Sequence, residues 1–126
     1  MADVNPLSEK PVGTQSFLVN GSSLRVPLER TTNRAERRRG LLGRDSLNGA
    51  LLIDKCRSVH TIGMRFALDV AFVSLNERLL TIDSTVCMPT GRFGRPRFGS
   101  NAVLEAQAGA FIRWDLQAGQ RWTIES

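Results

Sequence analysis

Apolar and polar positions alternate in short runs separated by turn-forming residues, the pattern of a small sheet protein. Residues 16–19 and 24–28 flank Asn20-Gly21, a dipeptide suited to the turn of a hairpin. Pro27 cannot donate to a ladder, which predicts that the second of these strands lies at an edge or that Pro27 is near its end. Asn33-x-x-Glu36 and then Gly40 predict a helix of about two turns over 33–39, capped at both ends. This helix has almost no apolar face. Leu41 and Leu42 must tie it down and leave its arginines in solvent. Residues 47–53 bring the chain back into the core. Residues 69–75 carry the longest apolar strand signal, Asn76-Glu77 a turn, and 78–86 the partner strand, with Leu80, Ile82, Ser84 and Val86 on one face. Residues 88–100 hold Pro89, Pro96 and three glycines, a long loop. A strand follows at 102–106 with Leu104 facing away from Val103 and Glu105, then a short helix at 110–116. A last strand at 121–125 places Trp122 and Ile124 on one face.

The sum is mainly β: six or seven short strands with one or two short helices. So small a sheet hides its edges by curling or closing, so a closed or barrel-like antiparallel sheet is expected. The strands at 69–75, 78–86 and 102–106 are expected in one antiparallel sheet, the first two as a hairpin. Residues 1–14, with Pro6, Pro11, Gly13 and no periodicity, read as a disordered tail before a single domain at 15–126.

Composition narrows the class. With 126 residues and 41% apolar content, the chain can build one ordinary globular core. No run approaches the roughly 18 apolar residues of a membrane span, and the first residues lack a basic region followed by an apolar one. A cytoplasmic protein is expected. Cys56 and Cys87 form no C-x-x-C pattern and are expected as free thiols acting as small core hydrophobes. The net charge of +5 is carried by 15 Arg against 2 Lys. Six arginines with one acid, Glu36, lie between Arg30 and Arg44, and Arg92, Arg95 and Arg97 stand in an acid-free stretch. Guanidinium forks suit phosphates and carboxylates, so either cluster could hold an anion or nucleic acid. A solvated helix face and a loop explain the same charges.

The chemistry-bearing residues centre on 56–75. His60, the single histidine, has the side chain whose ordinary pKa lies near neutrality. Asp69 or Glu105 could orient it as a base; equally, it could be one hydrogen-bonded histidine near the core. Thr61 could bind an anion or cap a turn. Glu105 falls mid-strand, where a carboxylate is unusual in a buried sheet. It either faces solvent or pairs with an arginine, Arg65, Arg92 and Arg95 being candidates. One histidine, two distant cysteines and scattered acids give no metal-ligand spacing, and no metal or cofactor is expected. Cys56 with His60 is a weak nucleophile pair, since no oxyanion-binding turn follows. Phosphate-loop and hydrolase motifs are absent. The nearest approach to a base-stacking surface is Phe93 and Phe98 among Arg92, Arg95 and Arg97.

Several pieces, in order, resemble one prokaryotic family. They are RRRGLLGR at 37–44, HTIGM at 60–64, Leu68-Asp69, VLE at 103–105, Ala108-Gly109, and Leu116 with Ala118-Gly119. From Thr31 to Ile124 the chain is similar to the domain of unknown function 192. The resemblance implies a compact β-rich domain and no particular reaction. Many relatives carry an aromatic residue where His60 stands and an acid where Gln120 stands, so it gives His60 no family-wide role as a base. The leading expectation is a non-catalytic binding module for a small acidic molecule or peptide. Its cleft would be walled by His60, Thr61, Met64, Asp69 and Glu105, with Arg92 and Arg95 on a lid. Alternatives are an enzyme using His60 with Asp69 or Glu105, and weak nucleic-acid binding through the arginine clusters.

Overall fold

The computed structural model describes residues 15–21 and 24–126. The tail expected at 1–14 lies outside them. Among the described residues the strands are β1 (Ser16–Val19), β2 (Arg25–Arg30), β3 (Ala50–Asp54), β4 (Leu68–Asn76), β5 (Leu79–Met88), β6 (Ala102–Gln107) and β7 (Arg121–Glu125), with α1 (Arg34–Arg39) and α2 (Ala110–Trp114) between them. They close into a barrel in the order β1-β2-β3-β6-β4-β5-β7. The mainly β barrel read from the alternation is what forms. Closure leaves no open edge.

Two expectations about strand position are corrected. β2 is not an edge: it pairs with β1 on one side and β3 on the other. Pro27 escapes the second ladder because that ladder begins only at Leu28↔Ala50. The β2–β3 pairing is also parallel, whereas the other pairings are antiparallel. A parallel neighbour needs a long crossover, which α1 and the segment after it supply.

The local signals around α1 hold. Asn33 Oδ1 accepts from the Glu36 amide at 2.8 Å, and Gly40, at φ 52°, donates back to the Glu36 carbonyl. The Glu36 carboxylate reaches one residue further than a capping box and accepts from the Thr32 amide at 2.7 Å. No residue of the helix is buried. Leu41 anchors its end, while Leu42 is exposed.

The strands separate two apolar layers. Leu18, Val26, Leu52, Ala71, Val73, Leu80, Leu104 and Trp122 are among those filling the barrel. Leu41, Leu51, Ile53, Val59, Leu68, Val70, Phe72, Met88 and Val103 form a second layer outside it. Alternation along β6 sends Ala102, Leu104 and Ala106 inward and Val103 outward. Glu105 shares the outward parity of Val103.

In the β4–β5 hairpin the turn falls one residue later than expected. β4 runs to Asn76, and Glu77 takes the left-handed conformation, φ 56°. The shared face expected for Leu80, Ile82, Ser84 and Val86 does not survive. The register shifts between Phe72 and Val73, which pair with Ser84 and Ile82, so Asp83 is an extra residue. A bulge flips every later side chain: Leu80 and Ile82 face the interior, while Ser84 and Val86 pair with the outward Phe72 and Val70. Ser74 and Ser100 hydroxyls, each 2.7 Å from Asp83 Oδ2, hold the bulge.

Candidate functional site

The outer layer is incomplete at one point. Glu105 is only 4% exposed. Its carboxyl opens on a cavity of about 60 Å³, lined by Arg37–Arg39, Gly40, Leu41, Ile53, Cys56, Ser58, His60 and Met64 among others. That volume holds a few waters or the head group of a ligand, not a whole metabolite. No hydrogen bond or ion pair to the Glu105 carboxyl occurs among the described residues. Burial alone pushes its pKa up from 4.5 to about 7. Of the α1 arginines that line the cavity, Arg38 and Arg39 are exposed and Arg37 half-buried, and none pairs with the carboxyl.

The sequence around the cavity explains its shape. Gly40 ends α1 directly over the carboxyl: a Cβ there would stand 3.4 Å from Glu105 Oε1. The segment after β3 forms the other wall. Cys56 donates its thiol proton to the Ser58 carbonyl at 3.1 Å, and its pKa is raised, chiefly by burial. The thiol is therefore no ready nucleophile. Cys87, expected in the core, is exposed, near the end of β5 where it pairs with Asp69.

His60 and Met64 reach the cavity with Glu105. His60 is exposed at the rim, its ring 6.0 Å from that of Phe93. Thr61 does not reach it. It is fully buried and works inside the fold, donating to the Pro89 carbonyl at 2.6 Å and accepting from the Arg92 amide at 2.9 Å. Asp69 is also elsewhere. It pairs with Ala106, whose side chain faces the barrel interior, while its neighbour Val70 pairs with Glu105. One step along a strand reverses the face, so the two carboxylates point to opposite sides of the sheet. Asp69 Oδ2 accepts from the amides of Gly109 and Phe111 at 2.9 and 3.0 Å, holding the first turn of α2. A single carboxylate wall replaces the expected convergence of three residues.

The expected arginine partner of Glu105 is likewise missing. Arg65 pairs with Asp45 at 2.7 Å, and Arg92 and Arg95 border a different cavity, with Phe72, Met88 and Phe93. They form no lid over Glu105. Gly40 and Ser58 are cavity residues that the sequence did not single out; the glycine that stops the helix was the available signal for the first.

Replacing Asp69 with asparagine is expected to cost about 1–2 kcal/mol, because the buried Phe111 amide and the part-buried Gly109 amide lose a charged acceptor. Chemical denaturation measures it. An unchanged midpoint would mean that α2 does not depend on this carboxylate.

The match to known proteins follows the barrel. A family model described as an uncharacterised ACR, the domain of unknown function 192, covers residues 17–124. The chain belongs to this family. No curated protein matches it. The domain of unknown function 192 seen here is similar in fold to two crystal structures. One is a protein from Sinorhizobium meliloti 1021 provisionally named a transcription regulator, with 16% identity and a TM-score of 0.61 over 88% of this chain and 91% of that one. The other is a protein of unknown function from Novosphingobium aromaticivorans, with 22% identity and a TM-score of 0.54 over 93% and 90%. At these identities the likeness concerns the fold alone. No helix among the described residues is long and apolar enough to cross a membrane.

Proposed function

We propose that this domain is a non-catalytic binding module for a small acidic molecule or peptide that also carries a hydrogen-bond donor. The observation that carries this reading is the buried, unbonded carboxyl of Glu105 at the end of a narrow cavity. A buried acid without partners costs several kcal/mol, and an entering donor repays that cost. An amino group fits best: it supplies both the proton and the opposite charge. The acidic end of the same ligand then lies at the mouth, among Arg37, Arg38, Arg39 and His60. The ligand class is one in which a few bonds separate amine from carboxylate, as in amino acids and peptide termini.

Amide chemical-shift titration with free amino acids and dipeptides tests the reading. The expected shifts fall at 38–42, 58–61 and 103–107, and disappear in Glu105→Gln while that variant stays folded. Equal binding by Glu105→Gln, or no shift in these segments with any probe, would reject the site.

An acid–base enzyme is the second reading, favoured by the burial of Glu105, which pushes its carboxyl up to about 7 and suits it to give and take protons at neutral pH. Asp69 has no place in it. Conversion of a probe during the titration, with a rate that follows a pKa near 7, would select this reading over simple binding.

A further inference from the structure

The segment between β5 and β6 carries a surface unrelated to Glu105. Its sequence at 92–98, RFGRPRF, interleaves three arginines with two phenylalanines, and no acid occurs between Asp83 and Glu105. Phe93 and Phe98 are 81% and 77% exposed, an unusual placement for two large apolar rings. Ile112, the other strongly exposed apolar side chain, belongs to α2. Asp83, the acid that precedes the loop in sequence, is engaged by Ser74 and Ser100, and Asp69, across from Cys87, by the amides of Gly109 and Phe111. Arg92 and Arg95 have no ion pair among the described residues, and the Arg97 guanidinium lies 5.1 Å over the Phe72 ring.

The surface is held in place. Thr61 takes the Arg92 carbonyl with its amide at 2.7 Å and the Gly91 amide with its carbonyl at 2.9 Å. The Gly94 amide donates to Val59 at 2.7 Å, and the Arg97 amide to Arg57 at 2.8 Å. Gly94 admits no side chain, since a Cβ would stand 2.8 Å from the Val59 carbonyl oxygen. These bonds make the loop a second layer on 57–61, so binding has to order side chains but not the loop backbone. Beside the Phe93 ring lies a cavity of about 420 Å³ lined also by Phe72, Val86, Met88, Pro89 and Arg92 among others.

We infer that this loop is a binding surface for single-stranded nucleic acid, with bases stacked on Phe93 and Phe98 and phosphates held by Arg92, Arg95 and Arg97. The alternation decides the partner. A single strand offers flat π faces and anionic groups in turn, which is what the loop offers in complementary form. An acidic peptide would satisfy the arginines and leave both rings in water. A duplex hides its base faces.

Fluorescence anisotropy of the full chain with a labelled 15-nucleotide oligothymidylate tests this. Binding is expected at low salt and falls with a log–log salt slope of about −2, for three phosphate contacts to a single strand. Phe93→Ala and Phe98→Ala, both at exposed positions, are each expected to weaken it about tenfold with the circular dichroism spectrum unchanged. Arg121→Ala, which removes one exposed charge from β7, should weaken binding far less than either phenylalanine variant. Four results would overturn the assignment: no binding at low salt, equal binding of a duplex, parent-like binding by both phenylalanine variants, or a loss as large in Arg121→Ala. Capture of a labelled polyglutamate in place of the oligonucleotide would overturn it in favour of an acidic protein partner.

Discussion

Replacing Gly49 with alanine is expected to destabilise the protein by about 4 kcal/mol or more, a large share of the roughly 5–15 kcal/mol margin of a folded domain. Gly49 precedes β3 and lies against β2, one step before the parallel ladder opens at Leu28↔Ala50. A Cβ at this position would stand 2.1 Å from the Pro27 carbonyl oxygen and 2.9 Å from its carbon. The obstacle is backbone, so no rotamer change relieves it. β2 cannot retreat, because Phe17 pairs with Pro27 on its other side and Val26 and Leu28 are packed inside the barrel. The φ of 90° adds a conformational cost of its own. Gly119 separates the two effects. Its φ is 92°, yet nothing lies within 4 Å of its Cβ position, so Gly119→Ala should cost only about 1–2 kcal/mol. Urea denaturation of the two variants beside the parent checks the comparison. Similar midpoints for both would show that the close approach to Pro27 relaxes at little cost.

Gly49 also marks the limit of what the chain reveals by itself. The strands, the ends of α1 and the long loop were legible because each depends on neighbours in sequence: alternation, a cap, a turn residue. Seven short strands could hide their edges only by curling or closing, and they close. What needed the register was not legible. The parallel pairing of β2 with β3 follows from where the crossover lands, and only that pairing makes Gly49 indispensable. The bulge at Asp83 looks like ordinary alternation until Phe72 and Val73 are seen to pair with Ser84 and Ile82. The same holds for the site. Glu105 stood out as a carboxylate in mid-strand, and His60 and Met64 do share its cavity. Asp69 was grouped with them because nothing in the sequence says that it pairs with Ala106, one step from Glu105 and on the other face. Thr61 carried two readings, and the structure gives it work inside the fold: its hydroxyl serves Pro89 and Arg92.

Glu105→Gln is expected to raise stability at pH 8 by roughly 3 kcal/mol and to leave it unchanged at pH 4. The direction follows from the two states. Unfolded, the carboxyl titrates near 4.5; folded, burial moves it to about 7. Below the first value both states hold the proton and the group contributes no pH dependence. Between the two values the unfolded chain gives up its proton while the folded chain keeps it, so stability falls as pH rises. Above the second value the folded protein carries a buried charge without a partner, and the penalty stays constant. Glutamine keeps the shape and removes the charge, so the difference between parent and variant traces this curve while all other titrations cancel. Denaturation midpoints at pH 4, 5.5 and 8 suffice. A difference that stays flat with pH would mean that water reaches the carboxyl freely and that the cavity imposes no demand for a ligand. If the curve appears, the proposed amine ligand has a second signature. Pairing with the charged carboxylate draws its pKa back toward the ordinary value, so a saturating ligand should flatten the parent's pH dependence and bind more tightly at pH 8 than at pH 5.5. A ligand that bound equally at both would be contacting the arginines at the mouth and not Glu105.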